Sequence, residues 1–158
     1  MMAPLGWWQR GVGGYVCSMN VSFALFADAA NLSQEGKLNI LGVFDAVQVG
    51  QTPAIHPRAH LVVRLKGTPR DVGTHAVTLR WINPRGDELW SSTGEIVVST
   101  PPAGVAEMDL PILASVDLPL DQVGTFTMEV LIDSEQAATV GLQVRMGAPF
   151  MPTSALVS

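Results

Sequence analysis

The stretch FALFADAANLSQEGKLNILGVFD, residues Phe23–Asp45, decides the fold class of this chain. It contains two apolar-rich runs with a two-residue alternation, separated by a polar segment that includes Gly36. A period of two places successive side chains on opposite faces, as in a β-strand, whereas an amphipathic helix repeats every 3.6 residues. The stretch therefore predicts two antiparallel strands joined by a turn.

The same alternation recurs along the chain, and each run is bounded by Gly, Pro, Asn, Asp or Ser. The predicted strands are residues 21–27, 37–49, 58–66, 74–83, 88–100, 108–118, 125–133 and 137–145. Since no amphipathic helix of ten or more residues separates them, they do not form β-α-β units. We predict an all-β fold, an antiparallel β-sandwich of about eight strands that is immunoglobulin-like or jelly-roll-like. Pro111 and Pro119 favour a sandwich over a closed barrel, because proline suits edge strands and bends.

Composition limits the classes of partner. The 158 residues suit one domain, and 47% of them are apolar while only 15% are charged. The net charge is −5, and the nine basic residues are scattered, so we expect no nucleic-acid binding, which needs a clustered positive surface. No run approaches the roughly 18 apolar residues that a spanning helix needs, and we expect no membrane span.

Both ends of the chain differ from the centre. We interpret residues 1–18 as an N-terminal extension outside the fold, residues 19–146 as the β-sandwich domain, and residues 147–158 as a C-terminal tail. In the alternative interpretation, Trp7 and Trp8 dock on a partner. Gln9, Arg10 and several glycines interrupt any export signal, and the single cysteine allows no internal disulfide. We therefore expect a cytoplasmic protein.

Turn chemistry is clearest at residues 83–86, Asn-Pro-Arg-Gly, which predict a three-residue hairpin loop with a glycine bulge. A regular register from this loop places Trp81 opposite Leu89 and Arg80 opposite Trp90, with Arg80 lying across the Trp90 ring. The core-facing residues of the strand before this loop are then Val77, Leu79 and Trp81. A second hairpin is predicted across residues 133–136.

Several motifs together resemble one protein family. They are Phe23–Asp45, the His-Pro pair at residues 56–57 before the strand HLVVRL, the strands around NPRG, and LPLDQVGTFTMEVLIDSEQAATVGLQV. The chain resembles a bacterial family of small uncharacterised proteins, a domain of unknown function, over about residues 22–145. The resemblance implies the order of strands and turns, and it carries over no catalytic or binding residue.

The three histidines do not predict a metal site. His56 and His60 have the spacing of helical metal ligands, but Pro57 and the following VVRL predict an extended segment. Four residues of a strand span about 13 Å, so one ion cannot contact both side chains. His75, at the start of another strand, is able to join only one of them. We interpret all three as ordinary polar residues at strand ends.

The acidic residues do not predict a catalytic pair. In a regular first hairpin, Asp28 and Asp45 lie at opposite ends, about 23 Å apart, too far for shared acid–base chemistry. The turn acids at 87–88 and 133–135 are expected to be solvated and lack the dense ligand run of a calcium loop. Nucleophile-elbow and phosphate-binding glycine motifs are missing from the sequence. We assign no catalytic, cofactor-binding or metal-ligating residue and expect no cofactor.

Three hypotheses for function remain. The favoured one is a non-catalytic sandwich that acts as an interaction or accessory module, with a protein partner or a second copy of itself at exposed strand edges. In this hypothesis, the Pro-rich connection at residues 99–106 covers an edge or contacts the partner. The second hypothesis is a carrier of a small apolar ligand in a pocket between the sheets. The third is an enzyme of unrecognised type, which requires polar groups to converge, for example Asp45, His56, Arg58 and Glu95.

Overall fold

The computed structural model describes residues 19–147. The strands are β1 Asn20–Leu32, β2 Leu38–Phe44, β3 Ala46–Val49, β4 Ala54–Gly67, β5 Gly73–Ile82, β6 Glu88–Val98, β7 Met108–Leu120, β8 Gly124–Ile132 and β9 Glu135–Met146. A single 3-10 turn, Pro69–Asp71, joins β4 to β5. The predicted extension 1–18 and residues 148–158 of the predicted tail lie outside the described residues.

Two sheets build the domain. The four-stranded sheet has the order β2-β1-β4-β7, and the five-stranded sheet has the order β3-β9-β8-β5-β6. Neighbouring strands are antiparallel except β3 and β9, which run parallel. The predicted all-β sandwich is confirmed. Pro111 and Pro119 both lie on β7, the edge strand of its sheet. On an edge strand, the missing N–H group of proline need not remove a hydrogen bond to a neighbouring strand.

The predicted strand 37–49 is two strands, so the described residues contain nine rather than eight. The chain leaves the first sheet after Phe44 and enters the second at Ala46. At the crossing point, the carbonyl of Asp45 accepts a hydrogen bond from the backbone N–H of Gln143, 2.8 Å away. The two-residue alternation of apolar residues continues through this crossing, because β2 and β3 each still have one buried face.

The core lies between the sheets and is centred on Trp81. The Trp81 ring is fully buried, stacks on Phe126 at 5.2 Å and meets the edge of Phe26 at 6.0 Å. Its indole Nε1 donates to the carbonyl oxygen of Pro119 at 2.9 Å, which ties β5 of the five-stranded sheet to β7, the edge strand of the other sheet. Val77 and Leu79 also face this core, as the sequence predicts.

The β5–β6 hairpin has the predicted loop but a different register. Gly86, with φ of +91°, donates to the Asn83 carbonyl at 2.9 Å, and Asn83 bonds to Asp87 across the strand ends. The register then shifts by one residue between Trp81 and Ile82, so Trp81 lies opposite Trp90. The predicted Trp81–Leu89 and Arg80–Trp90 pairs are therefore wrong.

The shift changes the partners of Arg80, which now faces Ser91. Its guanidinium bonds to the carboxylates of Glu88 and Glu129, each at 2.8 Å, instead of lying across an indole ring. One extra residue in β6 moves every later side chain of that strand by one position, and no turn motif in the sequence signals the insertion.

The second predicted hairpin is confirmed, with a tighter turn. Ile132 pairs with Glu135, which leaves Asp133 and Ser134 as a two-residue loop. Both have positive φ, 50° and 69°, as a type I′ turn requires. The hairpin lies inside the five-stranded sheet, with β5 on one side and β3 on the other.

Candidate interaction cleft between strands β6 and β7

The sandwich is open along one side, where β6 ends the five-stranded sheet and β7 ends the four-stranded sheet. Residues of both strands line two adjoining hollows, of about 360 and 270 Å³, which share Ile96, Pro111 and Ile112. We call this opening the β6–β7 cleft. It is a gap between two sheet edges rather than an enclosed cavity.

Small residues on β6 create the cleft. The register places Ser92 beside Leu79 and Gly94 beside Val77, so both lie on the face of β6 that points to the core. A large apolar residue at either position would cover the neighbouring core side chain. Around Gly94, a Cβ atom would meet nothing within 4 Å, so the strand leaves space there.

Edge protection differs between the two strands. Proline and charged residues commonly prevent an edge strand from pairing with another chain. Strand β7 carries Pro111 and Pro119, whereas β6 has no proline from Glu88 to Val98 and its charged residues are Glu88 and Glu95. Its residues 91–95 are all exposed, and the side chain of Val97 is 71% exposed. Strand β6 is therefore an edge available for backbone pairing.

The polar contact with the clearest electrostatic effect lies at the start of β5. Nδ1 of His75 is 2.6 Å from a carboxylate oxygen of Asp133, and Nε2 is 2.6 Å from the carbonyl oxygen of Asp71. Two acceptors suit the doubly protonated ring. The Asp133 hydrogen bond raises the pKa of His75 above its ordinary 6.5, against the opposing effect of burial. The same bond lowers the pKa of Asp133 below its ordinary 3.8.

We predict a pH window for the stability contribution of this pair. Because the folded-state pKa of His75 is raised, its contribution is complete below 6.5 and is lost as pH rises through the folded-state value. Because that of Asp133 is lowered, its contribution is present above 3.8 and is lost as pH falls through the folded-state value. In urea unfolding, His75→Gln should lower stability more at about pH 5.5 than at about pH 8.5. An equal loss at both pH values contradicts this prediction.

The candidate histidines remain separate. His56 and His60 lie on β4, and His75 lies on β5 in the other sheet. The His56 ring contacts Phe44 at 5.1 Å between ring centroids. Within residues 19–147, no three His, Cys, Asp or Glu side chains are grouped closely enough to hold a metal ion. That part of the chain also has no helix long and apolar enough to span a membrane.

The geometry predicted for Asp28 and Asp45 is wrong. Ala27 pairs with Val43 and Ala29 with Leu41, which places Gly42 beside Asp28. Asp45 follows three residues later, so the two acids are separated by about 10 Å along the strands rather than 23 Å. The Asp28 carboxylate lies in the space that a Cβ on Gly42 would fill, which gives this acid a local packing contact.

Three of the turn acids, Asp87, Glu88 and Asp133, make polar contacts with other side chains. Glu88 bonds to Arg80 at 2.8 Å, and Asp87 lies 3.5 Å from the guanidinium of Arg85. Asp133 accepts hydrogen bonds from His75 and, at 2.9 Å, from the backbone N–H of Ala76. The contacts of Asp133 join residues 57 and 58 positions apart, which local turn patterns do not reveal.

The four residues of the enzyme hypothesis are divided between the sheets. His56 and Arg58 lie on β4, whereas Glu95 lies on β6, opposite Ala76. Arg58 is held in a left-handed conformation with φ of 49°, and its backbone N–H donates to Asp117 at 2.8 Å. The register shifts at this point, between His56 and Ala59, so Arg58 is part of a bulge.

The cleft itself was not predicted from the sequence. Its signal is the run Ser91-Ser92-Thr93-Gly94, which places polar or small residues at four consecutive positions of a strand. Such a run indicates a strand without a well-covered face, yet it does not reveal which strand of the other sheet lies across from it.

Two of the solved structures similar to this chain illustrate the likeness. One is the Pseudomonas fluorescens alkylpurine DNA glycosylase AlkC bound to DNA containing an abasic-site analogue, with 9% identity and a TM-score of 0.45. The match covers 80% of this chain and 30% of the glycosylase chain, so this chain spans less than a third of that protein. The other is an immunoglobulin-like protein from Pseudomonas aeruginosa, with 12% identity and a TM-score of 0.33. That match covers 84% of this chain and 100% of the other.

No curated protein matches the sequence significantly. A family model does match it, across residues 22–145, which include nearly all of both sheets. The interval agrees with the resemblance predicted from the strand and turn motifs. The chain belongs to the family of unknown function DUF6941.

Proposed function

We propose that the domain is a non-catalytic interaction module that associates by adding a strand to β6. The observation that carries the proposal is an edge strand without proline beside a cleft with apolar lining residues. Added strands gain affinity from backbone hydrogen bonds, and adjacent pockets select their side chains. Strand β6 offers exposed backbone along residues 91–95, and the cleft offers Ile96, Ile112 and Ala114 for apolar contact.

The partner strand in this proposal is β6 of a second copy. An antiparallel pair with its two-fold axis at Thr93 sets Trp90 opposite Ile96, Ser91 opposite Glu95, and Ser92 opposite Gly94. The first is an aromatic–β-branched pair, which stabilises antiparallel sheets. Glu95 faces a serine rather than another carboxylate, so no like charges meet. The partner's Leu89 then lies opposite the exposed Val97.

Other two-fold registers that keep the core faces on the same side fit less well. With the axis at Ser92, Trp90 faces Gly94 and Leu89 faces Glu95, so both apolar contacts are lost. With the axis at Gly94, Ser92 faces Ile96 and Ser91 faces Val97. The Thr93 register joins five strands from each copy into one continuous sheet, and it places a second core-facing surface beside each cleft.

A charge-swap experiment tests both the edge and the register. Residue 93 faces its own counterpart, so Thr93→Lys and Thr93→Glu should each abolish the wild-type dimer by like-charge repulsion. An equimolar mixture of the two variants should restore the dimer as a heterodimer, because Lys then faces Glu. Sedimentation velocity measures all three states, and thermal unfolding checks that each variant is folded.

Thr139→Lys is the matched control, because Thr139 is exposed on β9, an interior strand of the same sheet. This variant should dimerise like the wild type. A wild-type protein that stays monomeric at high concentration overturns the proposed partner. Failure of the mixed variants to associate overturns the register at Thr93.

The non-catalytic part of the proposal is supported by the separation of the polar groups over two sheets. The Pro-rich connection, residues 99–107 between β6 and β7, runs from one open edge to the other. In this proposal it lies beside the interface. In this proposal the module acts in the cytoplasm, which agrees with a chain whose single cysteine allows no internal disulfide.

A further inference from the structure

The His75 side chain joins two turns that are far apart in the sequence. Its Nδ1 atom is 2.6 Å from the carboxylate of Asp133, in the turn between β8 and β9, and its Nε2 atom is 2.6 Å from the carbonyl oxygen of Asp71, in the 3-10 turn. The 3-10 turn connects β4 of the four-stranded sheet to β5 of the five-stranded sheet. The imidazole ring therefore fixes a connection between the sheets to a hairpin turn.

Both partners of the ring are hydrogen-bond acceptors. A protonated imidazole donates through both nitrogens, whereas a neutral imidazole donates through one nitrogen and carries a lone pair on the other. A lone pair that faces an oxygen atom at 2.6 Å is repelled, so only the protonated ring of His75 satisfies both contacts. Loss of a proton from the ring therefore breaks one of the two contacts.

The charge on each acceptor decides which contact breaks. Hydrogen bonds to an ionised carboxylate are stronger than hydrogen bonds to a neutral carbonyl group, which favours the contact with Asp133 over that with Asp71. The Asp133 carboxylate also accepts a hydrogen bond from the backbone N–H of Ala76 at 2.9 Å, which holds it beside the ring. We expect the neutral ring to keep its proton on Nδ1 and to present the lone pair of Nε2 to the Asp71 carbonyl.

The 3-10 turn has its own internal contacts and a glycine beside it. The Asp71 carboxylate accepts hydrogen bonds from the N–H of Thr68 at 2.7 Å and from its hydroxyl at 3.2 Å, and the N–H of Asp71 donates to the Thr68 carbonyl at 2.9 Å. These contacts do not involve His75. Gly73, with φ of +134°, follows the turn, and a Cβ atom there would meet nothing within 4 Å. The turn is therefore able to move as a unit about Gly73.

The charged groups in contact with the ring favour its protonated form. The hydrogen bond to Asp133 raises the pKa of His75 most, burial opposes it, and the backbone hydrogen bond and charge of Asp71 add to the increase. Strand β6 places the uncharged Ile96 opposite His75. The other charged residues of the adjoining segments are Arg70 on the 3-10 turn, Glu95 on the face of β6 opposite to Ile96, and Glu135 at the start of β9.

We propose that His75 is a pH-sensitive latch, in which deprotonation of the ring releases the Asp71 carbonyl and lets the 3-10 turn, Pro69–Asp71, move while the Asp133 contact stays. The latch is closed in acid, where the ring donates through both nitrogens, and it opens as the pH rises and the ring loses a proton. The position of the connection between β4 and β5 therefore depends on pH, whereas that of the β8–β9 turn does not.

Imidazole nitrogen NMR spectra from about pH 5.5 to about pH 9 test which contact is lost. The chain has three histidines, so His75→Gln removes one of three sets of signals and assigns the ring. We expect both nitrogens of His75 to be protonated at the acidic end and Nδ1 alone to be protonated at the basic end. A neutral ring that carries its proton on Nε2 overturns the proposal.

Backbone amide spectra over the same range test the movement of the 3-10 turn. The amide signals of Asp71 and Val72 should shift with the midpoint of the His75 ring, and by more than that of Ser134 in the β8–β9 turn. His75→Gln should abolish this transition. His60→Gln is the matched control, because His60 lies on β4 in the other sheet, and it should keep the transition. Shifts at Ser134 that equal or exceed those of the 3-10 turn contradict the proposed movement.

Asp133→Asn tests the carboxylate without replacing the turn. Asparagine is favoured at positive φ in a type I′ turn, and residue 133 has φ of 50°, so the hairpin should form normally. Because the variant lacks the negative charge, the midpoint of the His75 titration should move to lower pH. An unchanged midpoint shows that Asp133 does not hold the proton on the ring and overturns the latch.

Discussion

Trp81→Ala should lower the free energy of unfolding by about 4 kcal/mol, the largest effect of any single substitution considered in this domain. The indole is fully buried and contacts Phe126 and Phe26 at the centre of the sandwich. Its removal forfeits apolar burial, leaves a cavity between the sheets and breaks the hydrogen bond to the carbonyl of Pro119. Urea unfolding followed by circular dichroism measures the change.

Two further variants test why Trp81→Ala lowers the free energy of unfolding. Trp81→Phe keeps most of the packing but loses the indole donor, and we expect it to cost about 1–3 kcal/mol, mainly from the unpaired Pro119 carbonyl. Trp90→Ala is the comparison on the opposite strand. Its side chain is only partly buried at the sheet edge, so it should cost less than Trp81→Ala. Equal losses for Trp81→Ala and Trp90→Ala would show that the core is not centred on Trp81.

Asn83→Ala should lower the free energy of unfolding by about 2–3 kcal/mol, because one side chain satisfies several groups. Asn83 is 3% exposed, and its Oδ1 accepts from the backbone N–H groups of Arg85 at 3.0 Å and Asp87 at 2.9 Å. Its Nδ2 donates to the Asp121 carboxylate at 2.9 Å, which joins this loop to the β7–β8 connection. The alanine variant leaves all of these partners without their hydrogen bonds.

Arg85→Ala is the matched control within the same loop. The Arg85 side chain is 69% exposed, and it lies 3.5 Å from Asp87 and 3.8 Å from Asp121. Exposed ion pairs contribute little, so this variant should change stability by less than about 1 kcal/mol. Asn83→Asp keeps the acceptor but sets a buried carboxylate against those of Asp121 and Asp87, so we expect it to cost at least as much as Asn83→Ala. If Asn83→Ala costs no more than Arg85→Ala, the loop does not depend on this side chain.

The hairpins show which structural features are specified by residues that are close together in the sequence. Asn-Pro-Arg-Gly at residues 83–86 specifies its loop through the fixed φ of proline and the positive φ of glycine, and both features belong to the residues themselves. The register beyond the loop was mispredicted because β6 contains one extra residue at Leu89. The extra residue places Trp90 opposite Trp81, a pairing that depends on the opposite strand.

The candidate sites depend on contacts between distant residues, which local sequence does not predict. The short residues Ser92 and Gly94 are visible in the sequence, but the cleft exists because β7 lies across from them. The contact of His75 with Asp133 joins residues 58 positions apart.

By itself, the sequence determined the all-β class, the two clear hairpins and the core face of β5, because strand period and turn chemistry act over a few residues. The tertiary structure alone decided the crossing of the chain between sheets at Asp45, the register of β6, the exposed edge and the β6–β7 cleft. Those features arise where strands distant in sequence meet, and their free energy comes from packing between sheets, which no local pattern contains.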